Sequence, residues 1–195
     1  MELDEAIRRR RMCRDFAPTA VADEVVDRLL DRARRAPSAG HSQGWAYLVL
    51  TSPEERSMFW AAIADPAWVA DPSPPGLVRA PVIIVPLCSP SVYRARYAEA
   101  DKAAFEWTVP YWLVDTSFAT MLLLLGAEAE GLGALFFRLH RPPTDLRAAF
   151  GVPDGWEPIG AVALGYRGPN DAGDRSGSAA RGRRPFTEIV HRGGW

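Results

Sequence analysis

Cysteine, histidine and net charge are all scarce in this sequence of 195 residues. It has two cysteines, three histidines and a formal net charge of −1. Cys13 and Cys88 lie far apart without a Cys-x-x-Cys motif, which argues against a disulfide framework and a structural zinc site. His41, His140 and His191 lack metal-ligand spacing, so no metal site is predicted. A charge near zero gives no general attraction to nucleic acid or to anionic membranes.

Long hydrophobic runs and targeting segments are missing as well. The longest uncharged apolar run, from Thr116 to Ala127, is too short to span a bilayer and indicates a buried helix. The N-terminal segment carries acids before its arginines, and no apolar region follows, so neither a signal peptide nor a transit peptide is predicted. We therefore expect a cytoplasmic protein that does not bind membranes, and two unpaired cysteines fit a reducing compartment.

The length and composition predict a single domain over residues 1–195. Hydrophobic residues make up 48% of the chain and charged residues 24%, as in ordinary soluble globular proteins. The periodicity predicts a mixed α and β fold with about four strands and five or six helices. Predicted helices cover Leu3 to Arg11, Val21 to Ala36, the residues after Ser52, Tyr111 to Gly131 and PPTDLRAAFG; predicted strands are WAYLVLT, PVIIVPLC, LGALFF and IGAVALGY. No Gly-x-Gly-x-x-Gly motif follows the first strand, which argues against a Rossmann fold.

Five arginines fall within the seven residues from Arg8 to Arg14. One interpretation is a solvated helix end, where arginines complement the helix dipole. The other is a phosphate site, because Arg10, Arg11 and Arg14 lie where the helix breaks and backbone N–H groups become free. A nucleic-acid patch is disfavoured by the balanced net charge and by the lack of interleaved aromatic residues.

The loop SAGHSQG joins the second predicted helix to the first predicted strand. Its short side chains and backbone amides suit hydrogen bonding to a flat heterocycle or a ribityl chain. Neither Ser38 nor Ser42 lies in a Gly-x-Ser-x-Gly motif, so a serine nucleophile is not predicted.

Two further groups allow two interpretations each. Trp107, Tyr111 and Trp112 form either core packing or an apolar wall over a planar ligand. The tail arginines, including Arg181 and Arg183, are either solubilising charge or a second clamp on an anion.

Five motifs, in order along nearly the whole chain, resemble the nitroreductase family of flavin-dependent oxidoreductases. RRMCRDF resembles its opening Arg-Arg-Ser-x-Arg-x-Phe element, and APSAGHSQGW resembles its Ala-Pro-Ser-Ser-x-Asn-x-Gln-Pro-Trp element. EGLGALFF resembles its Gly-Leu-Gly strand, PIGAVALGY its late Gly-Tyr strand, and RGRRPFTEIVH its Arg-x-Pro-Leu-Glu-Glu tail.

The resemblance implies an α+β fold with a central, mostly antiparallel sheet of about four to five strands flanked by helices. It also implies a homodimer with two FMN molecules at the interface, each contacted by both chains. By this resemblance, the FMN phosphate and ribityl chain are bound in one subunit by Arg10, Arg11, Met12 and Arg14. The flavin is expected to be contacted from the other subunit by Pro37, Ser38, Ala39 and His41. Phe136 and Phe137 are expected along the isoalloxazine ring, and Arg181 and Arg183 are expected to close on the phosphate.

Three residues depart from the family pattern. Met12 replaces the usual serine and removes a hydroxyl donor, so only its backbone N–H keeps that contact. His41 replaces the usual asparagine and adds a titratable group near the flavin. Gly44 replaces the usual proline and loosens the start of the strand.

The resemblance implies an enzyme that transfers hydride from NADH or NADPH to FMN and passes electrons to a small aromatic acceptor such as a nitroaromatic or a quinone. No side chain is expected to act as a catalytic acid or base, because the flavin carries the chemistry. Acceptor choice is expected to depend on DPAWVADPSPPG and on the segment from Tyr93 to Trp112.

Other functions remain open. One is a biosynthetic role as a natural-product dehydrogenase, or as a flavin-fragmenting enzyme similar to dimethylbenzimidazole synthase. Another is a flavin-binding module without catalysis. A deazaflavin as ligand or hydride donor is a further option.

Overall fold

Five antiparallel strands form one sheet in the centre of the described chain. The computed structural model describes residues 1–102, 108–171 and 181–195. The strands are β1 (Trp45–Leu50), β2 (Val82–Cys88), β3 (Gly133–Phe137), β4 (Glu157–Pro158) and β5 (Ala161–Gly165). Their order is β1-β2-β5-β3, and the short β4 pairs with β2. The prediction of an antiparallel sheet of four to five strands is confirmed.

Seven α-helices surround the sheet in the described residues. They are α1 (Leu3–Arg9), α2 (Asp23–Ala33), α3 (Pro53–Ile63), α4 (Pro66–Ala70), α5 (Pro90–Tyr97), α6 (Tyr111–Ala129) and α7 (Pro143–Phe150). The segment containing α4 was predicted as a loop. Its helix is only five residues long, too short for an apolar period, and it begins at a proline after Asp65, whose carboxylate accepts from Ala67 N at 2.8 Å.

The predicted start of α3 is confirmed by a complete capping box. Ser52 Oγ accepts from the backbone N–H of Glu55 at 3.1 Å. The Glu55 carboxylate accepts in return from the backbone N–H groups of Ser52 and Thr51, each at 3.0 Å. These bonds favour the ionised acid and lower the pKa of Glu55.

The core is divided between the two faces of the sheet. Helices α3 and α7 pack together, and Phe59 and Leu146 belong to the cluster on one face. Helices α2 and α6 pack together, and Leu29 and Leu123 belong to the cluster on the other face.

The 19-residue helix α6 is long and apolar enough to cross a membrane, but half of that stretch is buried inside the protein. It packs on the sheet and is a core helix. Its outer face nevertheless exposes Leu113, Phe118 and Met121. The helix therefore lies in the core, as its sequence predicts, and also presents an apolar outer face.

Candidate functional site

The arginine-rich segment runs along the outer edge of β3. Helix α1 ends at Arg9, two residues earlier than predicted, and the chain then extends. Met12 forms a parallel bridge with Ala134, and the backbone N–H of Cys13 donates to Ala134 O at 2.9 Å. Residues 12 and 13 are thus fixed to the sheet by backbone pairing, which does not depend on the side chain at position 12.

Two buried acids lie beneath this segment. Glu128, near the end of α6, pairs with Arg167 at 2.7 Å and with Arg9 at 3.4 Å. Asp171 pairs with Arg167 at 3.3 Å and accepts from the backbone N–H of Arg14 at 3.2 Å. The acids hold the segment in place and partly neutralise its positive charge.

Arg11 keeps an unused donor in this network. Its Nε lies 3.9 Å from Asp171 Oδ2, too far for a hydrogen bond. That nitrogen is buried and has no hydrogen-bond partner in the described residues. A buried donor without an acceptor is costly, so the site fits an additional anionic or polar acceptor.

Arg10 and Arg14 supply further positive charge. Neither guanidinium lies within 4 Å of a carboxylate in the part of the chain that the structure describes. Arg14 lines a cavity of about 300 Å³ together with Arg79 and Asp15. Asp15 is buried, pairs with Arg79 and accepts from Asn170 N at 2.8 Å, so its own charge is satisfied.

The SAGHSQG loop lies at the opposite edge of the sheet, before β1. Its residues Ala39–His41 form a short 3₁₀ turn. Three of its residues are left-handed, with φ of 60° at Gly40, 55° at His41 and 51° at Gln43. Left-handed non-glycine residues are strained, and strain of this kind persists only where surrounding contacts hold it.

Contacts inside the loop account for part of this shape. The backbone N–H of Gln43 donates to Ser38 Oγ at 2.8 Å. Ser42 Oγ donates to Ala39 O at 2.7 Å. The side chain of His41 is exposed and has no hydrogen-bond partner in the described residues, so it is accessible to a ligand.

Contacts from α5 and α6 hold the loop from outside. Asp115 Oδ2 accepts from Ala39 N at 2.7 Å and from the Tyr93 hydroxyl at 2.8 Å. Arg96 Nε donates to Gly40 O at 2.9 Å. Burial is the main cause that raises the pKa of Tyr93, so its phenol stays protonated as a donor.

Phe136 and Phe137 follow each other in β3 and therefore point to opposite faces of the sheet. Phe136 packs against the cluster on the α6 side. Phe137 stacks on Trp60, with ring centroids 5.5 Å apart. One face of a planar ligand can therefore contact only one of these two side chains.

The tail residues 181–195 are exposed except for Val190, which is partly buried. Arg181 and Arg183 are exposed, as are Phe186 and Ile189. No contact among the described residues joins these arginines to residues 10–14. The prediction that they close on a phosphate stays a prediction.

The metal ligands and the aromatic residues before α6 complete the survey of the candidate residues. Among the described residues no group of three His, Cys, Asp or Glu side chains could hold a metal. Trp107 lies outside the described residues, whereas Trp112 contacts the Tyr93 ring edge-on at 6.5 Å. Trp112 is thereby part of the packing around the loop.

Sequence reasoning missed four acids: Asp15, Asp115, Glu128 and Asp171. All four are buried or have buried carboxylates. The signal that was available for Asp115 and Glu128 is their place in an otherwise apolar helix, since a buried carboxylate needs donors. Asp15 and Asp171 carry no such signal in the sequence.

The fold and these two groups define the class of protein. It is an α+β protein with an arginine segment at one corner of the sheet and a small-residue loop at the opposite corner. The chain matches the Nitroreductase family over residues 7–166. It belongs to this family.

Individual relatives agree with the family match. A proposed NADH dehydrogenase/NAD(P)H nitroreductase of Methanothermobacter thermautotrophicus is 28% identical over 174 residues, which cover 87% of this chain and 80% of that protein. A nitroreductase family protein of Clostridium difficile superposes with a TM-score of 0.70 and 25% identity, covering 100% of both chains. A protein of Exiguobacterium sibiricum, crystallised with FMN, has a TM-score of 0.78 and 20% identity, covering 98% of this chain and 97% of its own.

Proposed function

We propose that this chain is an FMN-dependent oxidoreductase that takes hydride from NADH or NADPH and reduces a small aromatic acceptor such as a nitroaromatic or a quinone. The observation that carries the proposal is the buried Arg11 Nε without an acceptor, flanked by Arg10 and Arg14. Guanidinium and backbone donors of this kind fit the dianionic phosphate of FMN. The family and the FMN complex of a relative with the same fold support this cofactor.

The two halves of the candidate site are far apart within one chain. The loop precedes Trp45, which pairs with Cys88 at one end of β2. The arginine segment pairs with Ala134 of β3. Ala134 pairs with Leu164 of β5, and Leu164 pairs with Val82 at the other end of β2. At about 3.3 Å per residue, the two ends of β2 are about 20 Å apart. A phosphate at the arginines is thus out of reach of the same chain's loop.

The separation supports the proposed homodimer, in which a second copy of the chain would supply the other half of the site. The outer face of α6 lies between the two groups and exposes Phe118 and Met121. A groove of about 380 Å³ between α1, α2 and α6 continues this apolar surface and is lined by Leu3 and Leu122. Two copies joined through α6 would bring the loop of one to the arginines of the other.

In the bound state, FMN supplies the hydride and electron transfer chemistry. The chain's residues bind and orient it. Arg10, Arg11 and Arg14 hold its phosphate end, and the loop of the partner copy presents small residues to its ring. The proposed site contains no catalytic acid or base.

An absorbance spectrum of the purified protein, followed by anaerobic titration with NADH and then NADPH, tests the proposal. We expect one bound flavin per chain and its reduction by at least one nicotinamide. A protein that stays colourless after incubation with FMN overturns the proposal. Bound flavin that neither nicotinamide reduces makes the chain a flavin binder instead, and oxygen-dependent loss of reduced flavin makes it a flavin-fragmenting enzyme.

The variant Arg14→Ala tests the phosphate contact directly. We expect FMN affinity to fall by about tenfold or more, because a charge-assisted contact to the phosphate is lost. Arg34→Ala is the matched control, since Arg34 is an exposed arginine paired with Asp31 on α2. Equal FMN affinities in the two variants would show that Arg14 does not contact the phosphate.

A further inference from the structure

Asp115 is an unusual residue for its position. It lies in the first half of α6 and is only 2% exposed. None of the ion pairs among the described residues includes it. Burial of a carboxylate is costly unless hydrogen bonds satisfy it, so its donors identify what it does.

Both donors of Asp115 lead to the loop. Oδ2 accepts from the backbone N–H of Ala39 at 2.7 Å and from the Tyr93 hydroxyl at 2.8 Å. The Tyr93 hydroxyl in turn lies 3.4 Å from Ser38 Oγ. One oxygen atom of α6 thus fastens the loop directly and through α5.

The loop needs such an external anchor. His41 and Gln43 adopt left-handed φ values of 55° and 51°. The bonds from Gln43 N to Ser38 Oγ and from Ser42 Oγ to Ala39 O lie within the loop and move with it. Among the described residues, Arg96 also holds the loop from outside through Gly40 O, but it pairs with Asp101 at the surface, where water competes for its donors.

The anchor also decides which loop donors a ligand can use. The backbone N–H groups of Ala39, His41, Ser42 and Gln43 all have acceptors within the protein. In the described part of the chain, those of Ser38 and Gly40 have none. The fixed conformation thereby leaves two amides for a bound molecule.

We infer that Asp115 is a positioning residue, which holds the loop of residues 38–43 in its left-handed conformation so that the Ser38 and Gly40 amides face the flavin of the partner copy. This inference rests on the proposed function for its ligand. The loop anchoring itself can be measured without FMN.

Three variants separate positioning from helix stability. Asp115→Ala removes the acceptor. Asp115→Asn keeps it, because both bonds converge on one oxygen that an amide oxygen can replace. Thr120→Ala is the matched control, since Thr120 is also buried on α6 and its hydroxyl bonds only within the helix, to Thr116 O at 2.8 Å.

The first measurement is hydrogen exchange of the Ala39 amide in protein freed of FMN. We expect fast exchange in Asp115→Ala and protection in Asp115→Asn, Thr120→Ala and the original chain. The second is FMN affinity at a temperature where every variant is folded. We expect a loss of about tenfold or more in Asp115→Ala and of less than about threefold in the other two.

Other results overturn the inference. An Ala39 amide that stays protected in Asp115→Ala shows that the loop does not depend on this acceptor. Equal losses of FMN affinity in Asp115→Ala and Thr120→Ala show that Asp115 affects FMN binding only through the stability of α6. If Asp115→Ala does not fold, Asp115→Leu, which also removes the acceptor but fills its space, must still speed the exchange of the Ala39 amide. Unchanged exchange in that variant contradicts the inference. Failure of the original chain to bind FMN overturns the proposed function, while the exchange data still decide the anchoring.

Discussion

The Tyr93 ring packs directly against the backbone of Gly44, just before the start of β1. A Cβ on Gly44 would lie 2.5 Å from Cε2 of the Tyr93 ring, closer than any carbon contact allows. The ring is fully buried and cannot swing away. The glycine at position 44 is therefore matched to the tyrosine of α5.

Gly44→Ala is expected to destabilise the protein by about 1 to 3 kcal/mol, because an added carbon overpacks a filled site. Urea denaturation measures this change. Gly194→Ala is the control, since nothing lies within 4 Å of a Cβ at that position. Equal stabilities of the two variants would contradict the close packing of Gly44 against Tyr93.

His41→Asn should leave stability nearly unchanged, whereas His41→Val should cost about 1 to 2 kcal/mol. The backbone at this position has φ of 55°, which asparagine and histidine tolerate far better than a β-branched residue. Thermal unfolding of both variants checks the difference. If they are equally stable, the left-handed conformation does not hold in solution.

Phe118→Glu is expected to weaken the proposed dimer by at least about tenfold, because it places a charge in an apolar interface. FMN should be lost in parallel if both chains contact it. Light scattering and flavin fluorescence measure the two effects. Met58→Glu on α3 is the control, since Met58 is also an exposed apolar residue but lies on the other side of the sheet. A dimeric Phe118→Glu protein would place the interface elsewhere.

Glu55→Gln should lower stability at neutral pH but not in acid. Backbone N–H groups of Ser52 and Thr51 lower the pKa of Glu55 in the folded state. The contribution of the Glu55 carboxylate to stability is therefore fully present above the pKa that this group has in the unfolded chain. It is lost as the pH falls through the lower pKa of the folded state. Unfolding of Glu55→Gln and the control Glu54→Gln across this range tests the prediction; a deficit that persists unchanged in strong acid contradicts it.

The two cysteines should make the protein less stable in alkaline solution. Burial is the main cause that raises the pKa of Cys13 and of Cys88 from 9.0 to about 11. The unfolded chain releases these protons at lower pH, so stability present below about pH 9 is lost as the pH rises towards 11. Cys88→Ala should reduce this loss, and thiol reagents should react only on unfolding. Rapid labelling of the native protein would show that the thiols are accessible.

Local signals predicted most of the fold. Ser52 and Pro53 gave the start of α3, and the apolar run PVIIVPLC gave β2. Helix α5 was not predicted because its apolar and charged residues follow no clear period; packing of Tyr93 under the loop secures it instead. Tertiary contacts thus decide where local preference is weak.

The sequence predicted the hydrogen-bond donors of the candidate site, but not the buried acids that accept from them. Arg14 and Asp171 are separated by 157 residues, and no local pattern joins them. Likewise, nothing near Ala39 in the sequence points to Asp115. Motifs identified the residues on the surface of the site, whereas the buried groups that hold them depend on how distant segments pack.

Helix α6 carries one buried acid towards each end, Asp115 at the loop and Glu128 at the arginine segment. One inserted residue between them would turn one end by about 100° relative to the other, because 3.6 residues complete a helical turn. Either acid would then leave its donors. The number of residues from 115 to 128 is therefore fixed by two separate contacts, and an insertion or deletion there should release the loop or the arginine segment even if every side chain of α6 is kept.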